Sequence, residues 1–462
     1  MAKSQVVTRP PKGTRDFLPD DIRRRSYVVN LIRSVYESYG FEPLETPSYE
    51  RLSTLLGKYG EEGDQLVFKL LHRGQPLVNG IRAANEHIAE EGAIIHGRSG
   101  ETAPGAESLL ADLGLRYDLT VPLARVFAEH RGKLSLPFKR YQIQPVWRAD
   151  TPGKGRFREF YQCDVDILGS ETRLVEAEVV GAVGECIRKL GFDKFEIRLN
   201  HRGLLRAMID HCGIDMTLES AAIIAVDKLD KIGPEGVIAE LASKGVSETA
   251  RDKLVDLVTT RPTLVELESE FKDNEAGLLA LQDLRNIFDL ISHTPAADHV
   301  RFDLSLARGL GYYTGAIFEV VVEDLAGSLG GGGRYDGLIG MFGKQQVPAC
   351  GFSIGLERIL VVMEQRGMFP DSMPAADIML GSMKPDQAGD LLELAHELRS
   401  AGWRVDISDK KIKPGKFRKK ADERECAYAI WIEPDEVLSV WTRSTNSTAS
   451  VARTDLLSAL ST

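Results

Sequence analysis

No part of the 462-residue chain approaches the roughly 18 uninterrupted apolar residues that a membrane helix needs, so no transmembrane segment is expected. The stretch Met1 to Thr14 has no apolar core, and no secretory signal is expected. Cysteine is scarce and scattered: Cys163, Cys186, Cys212, Cys350 and Cys426 form no C-x-x-C pair. That argues against a disulfide scaffold and against a cysteine zinc site, and it fits a reducing cytoplasm. The nine histidines form no H-E-x-x-H, and the absence of G-x-x-x-x-G-K-[ST] leaves a P-loop fold unsupported. No internal repeat or low-complexity tract is present. Positive charge is in deficit, with a net charge of −10, so the chain is not a general nucleic-acid coater; a local basic patch can still bind nucleic acid.

What is present is the composition of a globular protein with ample core, 43% apolar and 27% charged, in a length that suits two or three domains. Asp20 and Asp21 offer N-caps to a first helix that Gly40 would stop, with Ile22, Val28, Leu31, Ile32, Val35 and Tyr39 at helical spacing. A second helix fits 171–190, opened by Ser170 and closed by Gly191. The segment from His72 to Asp112 is less regular, and its 100–108 part reads as a surface loop. Residues 200–295 carry helical periodicity and few strand signals, as a helical insertion between two strand-rich blocks would. A linker is expected over 367–374. After it a strand at 377–380, a helix at 386–401 and a strand at 403–407 suggest a small α/β domain from 375 to the end.

Several strand-like runs carry an unusual polar row. In 158–167, period 2 puts Arg158, Phe160, Gln162, Asp164 and Asp166 on one face, opposite a mostly apolar face; an ordinary solvated face is the bland alternative. With 138–147 this run makes a hairpin whose long loop, 148–156, is basic. The run 115–121 alternates likewise, with Arg116, Asp118 and Thr120 on one side. Arg308-Gly-Leu-Gly-Tyr-Tyr-Thr-Gly315 precedes an apolar strand at 316–322, and its glycines let backbone approach a ligand. The run Gly330 to Gly333 reads as a flexible turn or a close approach to ligand. The stretch 349–358 reads as a strand running into a helix, with Arg358 at a junction that commonly binds phosphate. Together these offer arginines for phosphate, carboxylates for a cation and paired tyrosines for a polar aromatic ligand.

On these residues the chain resembles the histidyl-tRNA synthetases, class II aminoacyl-tRNA synthetases, over nearly its full length. Pro11 to Pro19 is similar to the family's N-terminal signature, Phe41 to Pro47 to class II motif 1, Arg148 to Gln162 to motif 2 and Gly351 to Arg358 to motif 3. Arg308 to Gly315, with Arg116 to Pro122, resembles the histidine-specific signature; it departs at Gly311, where the family usually has an acidic residue.

The resemblance implies an α+β fold: an antiparallel sheet core flanked by helices in a catalytic domain over 1–366, with the helical insertion, and a C-terminal α/β anticodon-binding domain over 375–462. It implies that Asp118, Leu119, Thr120 and Gln162 bind histidine, with Asp118, Thr120 and Gln162 holding the α-ammonium, and that Asp166, Tyr312 and Tyr313 face its imidazole. Arg148 would clamp the α-phosphate of ATP and Arg156 the outer phosphates, with Phe160 and Arg358 sandwiching adenine. Arg308 would be a catalytic arginine beside Arg148, acting with Mg²⁺, whose ligands the resemblance leaves open. It further implies tRNA(His) as partner and a homodimer through motif 1, without a membrane. A histidine-sensing regulatory subunit of ATP phosphoribosyltransferase is the main rival; such relatives generally lack the C-terminal domain and lose ATP-site residues. In that C-terminal domain Lys410, Lys411, Lys413, Lys416, Arg418, Lys419 and Lys420 form a cluster with no acid, a plausible RNA-backbone contact or a merely solvated loop.

Overall fold

The structure, a computed structural model, describes residues 8–90, 109–307, 312–325, 327–343, 345–384, 386–433 and 437–460. It divides into two compact units, Met1–Met368 and Phe369–Thr462.

The first unit is built on a sheet of eight strands: β1 (Glu42–Pro43), β5 (Phe138–Trp147), β6 (Glu159–Leu168), β7 (Glu196–His201), β8 (Val300–Phe302), β9 (Ala316–Val321), β10 (Gly330–Arg334) and β11 (Ala349–Gly355). Their order across the sheet is β1-β5-β6-β11-β10-β9-β7-β8. Only the outer pairs β1·β5 and β7·β8 are parallel; the centre is antiparallel. The expected hairpin is β5·β6, paired from Phe138↔Leu168 to Trp147↔Glu159. On one face of the sheet lie the helices Pro19–Ser38 and Leu174–Lys189; the latter buries an almost continuous apolar series from Val175 to Ile187. A second, small sheet joins β2 (Tyr49–Arg51), β3 (Lys69–Leu71) and β4 (Ala111–Leu115) in the order β2-β4-β3. From Arg202 to Ile291 the chain is helical, as its periodicity predicts.

Local departures from the expected elements have identifiable causes. Pro19 opens the first helix one residue before the expected acidic caps. Asp21 then reaches back to accept the Leu18 N–H at 3.0 Å, while Gly40, at φ +77°, ends the helix as expected. The second helix starts at Leu174, and Ser170 does not cap it. The 115–121 run is not one strand. β4 ends at Leu115, and a helix, Thr120–His130, begins where Asp118 Oδ1 accepts the Val121 N–H at 3.1 Å. Within the segment 72–112, a helix covers Gln75–Glu90; the expected 100–108 loop lies outside the described residues. The glycine run is neither turn nor loop: it is β10, hydrogen-bonded between β9 and β11. A Cβ at 332 would meet Gly351 O at 2.0 Å and one at 330 would meet Ser353 O at 2.3 Å, so only glycine lets this strand pack so closely.

The second unit is a five-stranded sheet ordered β13-β12-β14-β15-β16: β12 (Ile378–Ser382), β13 (Val405–Ile407), β14 (Tyr428–Ile432), β15 (Leu438–Thr442) and β16 (Ser447–Val451). The apolar run at 378–380 is buried on both faces. Ile378, Leu380, Ile430 and Ile432 pack with Leu391, Leu394 and Leu398 of the helix Ala388–Ser400. Met379 and Trp431 pack with Phe417 and Ala421 of the helix Pro414–Glu423. This last helix carries Lys416, Arg418, Lys419 and Lys420, so more than half of the basic cluster is helical. Lys410, Lys411 and Lys413 precede the helix, Pro414 opening it.

Candidate active site

A cleft of about 340 Å³ opens on the open face of the main sheet. Strand period 2 builds its floor from β6: Phe160, Gln162, Asp164 and Asp166 line it in one row, and the last three are buried. The row is therefore not a solvated face. β10 contributes Gly330 to Gly332, whose missing side chains leave the floor open. β11 contributes Gly351 and Ser353, and the first turn of the helix Leu356–Arg366 contributes Arg358. Asp118 and Thr120 come from the start of the helix Thr120–His130, Tyr312 and Tyr313 from just before β9, and Arg148 and Arg156 from the hairpin loop.

At the deep end the groups are buried and mutually braced. Asp166 Oδ1 accepts the Tyr335 hydroxyl at 2.5 Å, and its Oδ2 lies 2.8 Å from Nη2 of Arg140, its register partner on β5. Arg140 is wholly buried, and its Nε and Nη1 have no hydrogen-bond partner among the described residues. Asp118 Oδ1 accepts from Tyr59 at 3.0 Å as well as from Val121. Gln162 Nε2 donates to Ser353 Oγ at 2.5 Å. Burial pushes the carboxyls of Asp118, Asp164 and Asp166 upward, Arg140 opposing it at each, and Asp164 reaches about 7. The phenols of Tyr59, Tyr312 and Tyr335 are also pushed up by burial, so they stay protonated donors.

The outer end is cationic. Arg148 Nε donates to Tyr117 O at 3.0 Å; its guanidinium lies 4.2 Å from the Tyr117 ring centroid and 5.3 Å from that of Phe160. Arg156 pairs with Asp150 at 2.7 Å, and Arg358 donates to Ser328 O. Beneath this end Glu357 takes the Tyr161 N–H at 2.9 Å and Arg25 at 2.8 Å, tying the helix Leu356–Arg366 to β6 and to the first helix.

Of the residues expected at a site, the cleft gathers Asp118, Thr120, Arg148, Arg156, Phe160, Gln162, Asp166, Tyr312, Tyr313 and Arg358. Asp118 and Thr120 reach it from a helix start and not from a strand face. Leu119 does not line it: its side chain is in the core and its carbonyl accepts from Arg140 at 3.4 Å. Arg308 and Gly311 lie outside the described residues. The basic cluster belongs to the second unit. The sequence reading missed Arg140, Tyr335 and Gly351, which the long-range pairing of strands brings in, Tyr59, which reaches Asp118 from just before the helix Gly60–Gln65, and Lys231 of the helical segment, which also lines the cleft. It assigned no role to Asp164, although the same period that marks Gln162 and Asp166 marks it.

An antiparallel sheet with an arginine-edged cleft, followed by a small α/β unit, is the architecture of a class II aminoacyl-tRNA synthetase. The sequence model of histidyl-tRNA synthetase matches residues 13–83 and 110–359, and that of the anticodon binding domain matches 378–462. The histidine–tRNA ligase of Gloeobacter violaceus is 40% identical over 452 residues, covering 92% of this chain and 91% of that protein. That of Christiangramia forsetii is 39% identical over 440 residues, covering 92% of each. Among solved structures, the histidyl-tRNA synthetase from Nostoc superposes with a TM-score of 0.80 at 28% identity, covering 99% of both chains. The chain belongs to the histidyl-tRNA synthetase family.

Proposed function

We propose that this chain attaches L-histidine to the 3′ end of tRNA(His), using ATP and a histidyl-adenylate intermediate. The observation that carries the reading is the polarity of one cleft: buried acids and phenols at one end and arginines at the other, in a chain of this family. The histidine carboxylate attacks the α-phosphate of ATP in line. A carboxylate oxygen–phosphorus bond forms, the bond to the bridging oxygen breaks, and pyrophosphate leaves. The terminal ribose hydroxyl of the tRNA then attacks the acyl carbon and expels AMP. Both steps build up negative charge, and cations fixed in advance stabilise it without reorganising.

Arg148 is held by the Tyr117 carbonyl and ring, which suits it to the α-phosphate, and exposed Arg156 suits the outer phosphates. Phe160 and Arg358 flank the glycine floor where adenine would stack. Arg308 takes its catalytic role from the family signature. Asp118, Thr120 and Gln162 suit an α-ammonium; Asp166, Tyr312 and Tyr313 suit an imidazole. Buried hydrogen-bonding groups left unpaired by a wrong amino acid account for selectivity without editing. Mg²⁺ is expected with ATP. Among the described residues no group of three or more His, Cys, Asp or Glu could hold a metal ion, and the outer carboxylates Asp150 and Glu357 are already paired with Arg156 and Arg25. Mg²⁺ commonly enters such sites on the substrate's phosphates, holding few protein ligands.

The regulatory-subunit reading is not better supported: the curated relatives named above are ligases, and the chain carries an anticodon-binding domain. Among the described residues no helix is long and apolar enough to cross a membrane, and a cytoplasmic location fits translation. A homodimer through the 41–49 region follows from motif 1; sedimentation as a monomer with full activity would refute it. The function itself is tested by charging total tRNA with labelled histidine, which should depend on ATP and on histidine alone among the amino acids.

A further inference from the structure

In the deep end of the cleft three carboxylates, Asp118, Asp164 and Asp166, share the guanidinium of Arg140, while Arg148 also acts on Asp118 and Arg116 lies within electrostatic reach of Asp164. Asp164 stands between Gln162 and Asp166 on the floor strand, 1% exposed, and its Oδ1 has no hydrogen-bond partner among the described residues. Its register partners are Gln142 on β5 and Ser353 on β11. The groups acting on it are Asp166 on its own strand, Arg140 from β5, Ser353 from β11 and Asp118 from the start of the helix Thr120–His130.

We propose that Asp164 is a further histidine-binding residue, whose free Oδ1 accepts one imidazole N–H while Asp166 accepts the other. This rests on the histidine-activating reading above and deepens it. Neutral imidazole offers one donor and one acceptor, whereas imidazolium offers two donors. Two adjacent carboxylates therefore select the doubly protonated ring. Burial agrees: a buried carboxylate oxygen without a partner is costly, and a charged N–H donor offsets that cost better than a neutral one. In the empty pocket burial favours a protonated Asp164, and the entering imidazolium replaces that proton as the neutralising charge.

The test is calorimetry of histidine binding to the full-length enzyme in buffers of different protonation enthalpy. At pH 8, with the free imidazole neutral and Asp164 mostly ionised, wild type takes up about one proton per histidine bound, and uptake shrinks toward pH 6. Asp164→Asn weakens histidine binding by about 10- to 100-fold and abolishes most of the uptake at pH 8, with the ATP dissociation constant within about twofold. Equal histidine affinity and equal uptake in Asp164→Asn would overturn the proposal. So would absence of uptake by wild type at pH 8, a measurement that needs no variant to fold. Histidine-dependent pyrophosphate exchange by the same wild-type preparation separates the two levels. Exchange without proton uptake sinks the role of Asp164 alone; no exchange sinks the activation reading itself.

Discussion

Gly351 and Asp166 are register partners across β11 and β6, and Asp166 Oδ1 lies 1.8 Å from where a Cβ on residue 351 would sit. The carboxylate enters the cleft through space that only glycine leaves open. Gly351→Ala should therefore displace Asp166 and raise the Michaelis constant for histidine by about tenfold or more. Adding Asp166→Ala should restore part of the lost stability but none of the histidine affinity, with a coupling of roughly 0.5–3 kcal/mol between the two sites. Urea unfolding of the four-member cycle measures this; strictly additive losses would contradict the steric account.

The arginines should act on the chemical step. Arg148→Ala and Arg308→Ala are each expected to slow adenylate formation by on the order of 10²–10³ while histidine binding stays measurable. Rapid-quench measurement of adenylate in a single turnover checks both. Wild-type rates in either variant would remove that arginine from the mechanism.

The floor of the cleft was legible in the sequence because strand period 2 is a local signal: Phe160, Gln162, Asp164 and Asp166 alternate with residues facing the helices. The same period misled at 115–121, where Asp118 folds back to accept the Val121 amide and the chain enters a helix at Thr120. β10 was illegible because glycine has no side chain to show a period; its strand state depends on neighbours β9 and β11, distant in sequence. Arg140 and Gly351 became site-building residues only through their register with Asp166. The helix under the basic cluster was not legible because lysine dominates the stretch, yet Phe417 and Ala421, four residues apart, bury one face of it.

Stability should depend on pH through Asp164. Its folded-state pKa is raised from 3.8 to about 7, chiefly by burial, so between these values the folded chain binds the proton more tightly than the unfolded chain. Its contribution is then most favourable below about pH 4, declines as pH rises toward 7 and levels off above. Asp164→Asn removes this burden, so its melting temperature should exceed that of wild type at pH 8 by more than at pH 5. An equal difference at both values would show that Asp164 does not titrate in this window.

The basic cluster should act on tRNA alone. Lys410, Lys411, Lys413, Lys416, Lys419 and Lys420 are exposed and Arg418 is half-buried, with Phe417 anchoring the helix beneath them. Changing several of these cations to Ala should raise the Michaelis constant for tRNA and flatten its salt dependence, because phosphate contacts release counterions. Histidine-dependent exchange without tRNA should stay within about twofold. A tRNA constant unchanged at two ionic strengths would leave the cluster as a solvated surface.

Amino-acid-dependent ATP–pyrophosphate exchange, measured without tRNA against each of the twenty amino acids, tests the central claim most directly. Exchange with histidine, and at least about 10⁴-fold less with every other amino acid, is the predicted result. Histidine binding without exchange, or comparable exchange with a second amino acid, would contradict the account.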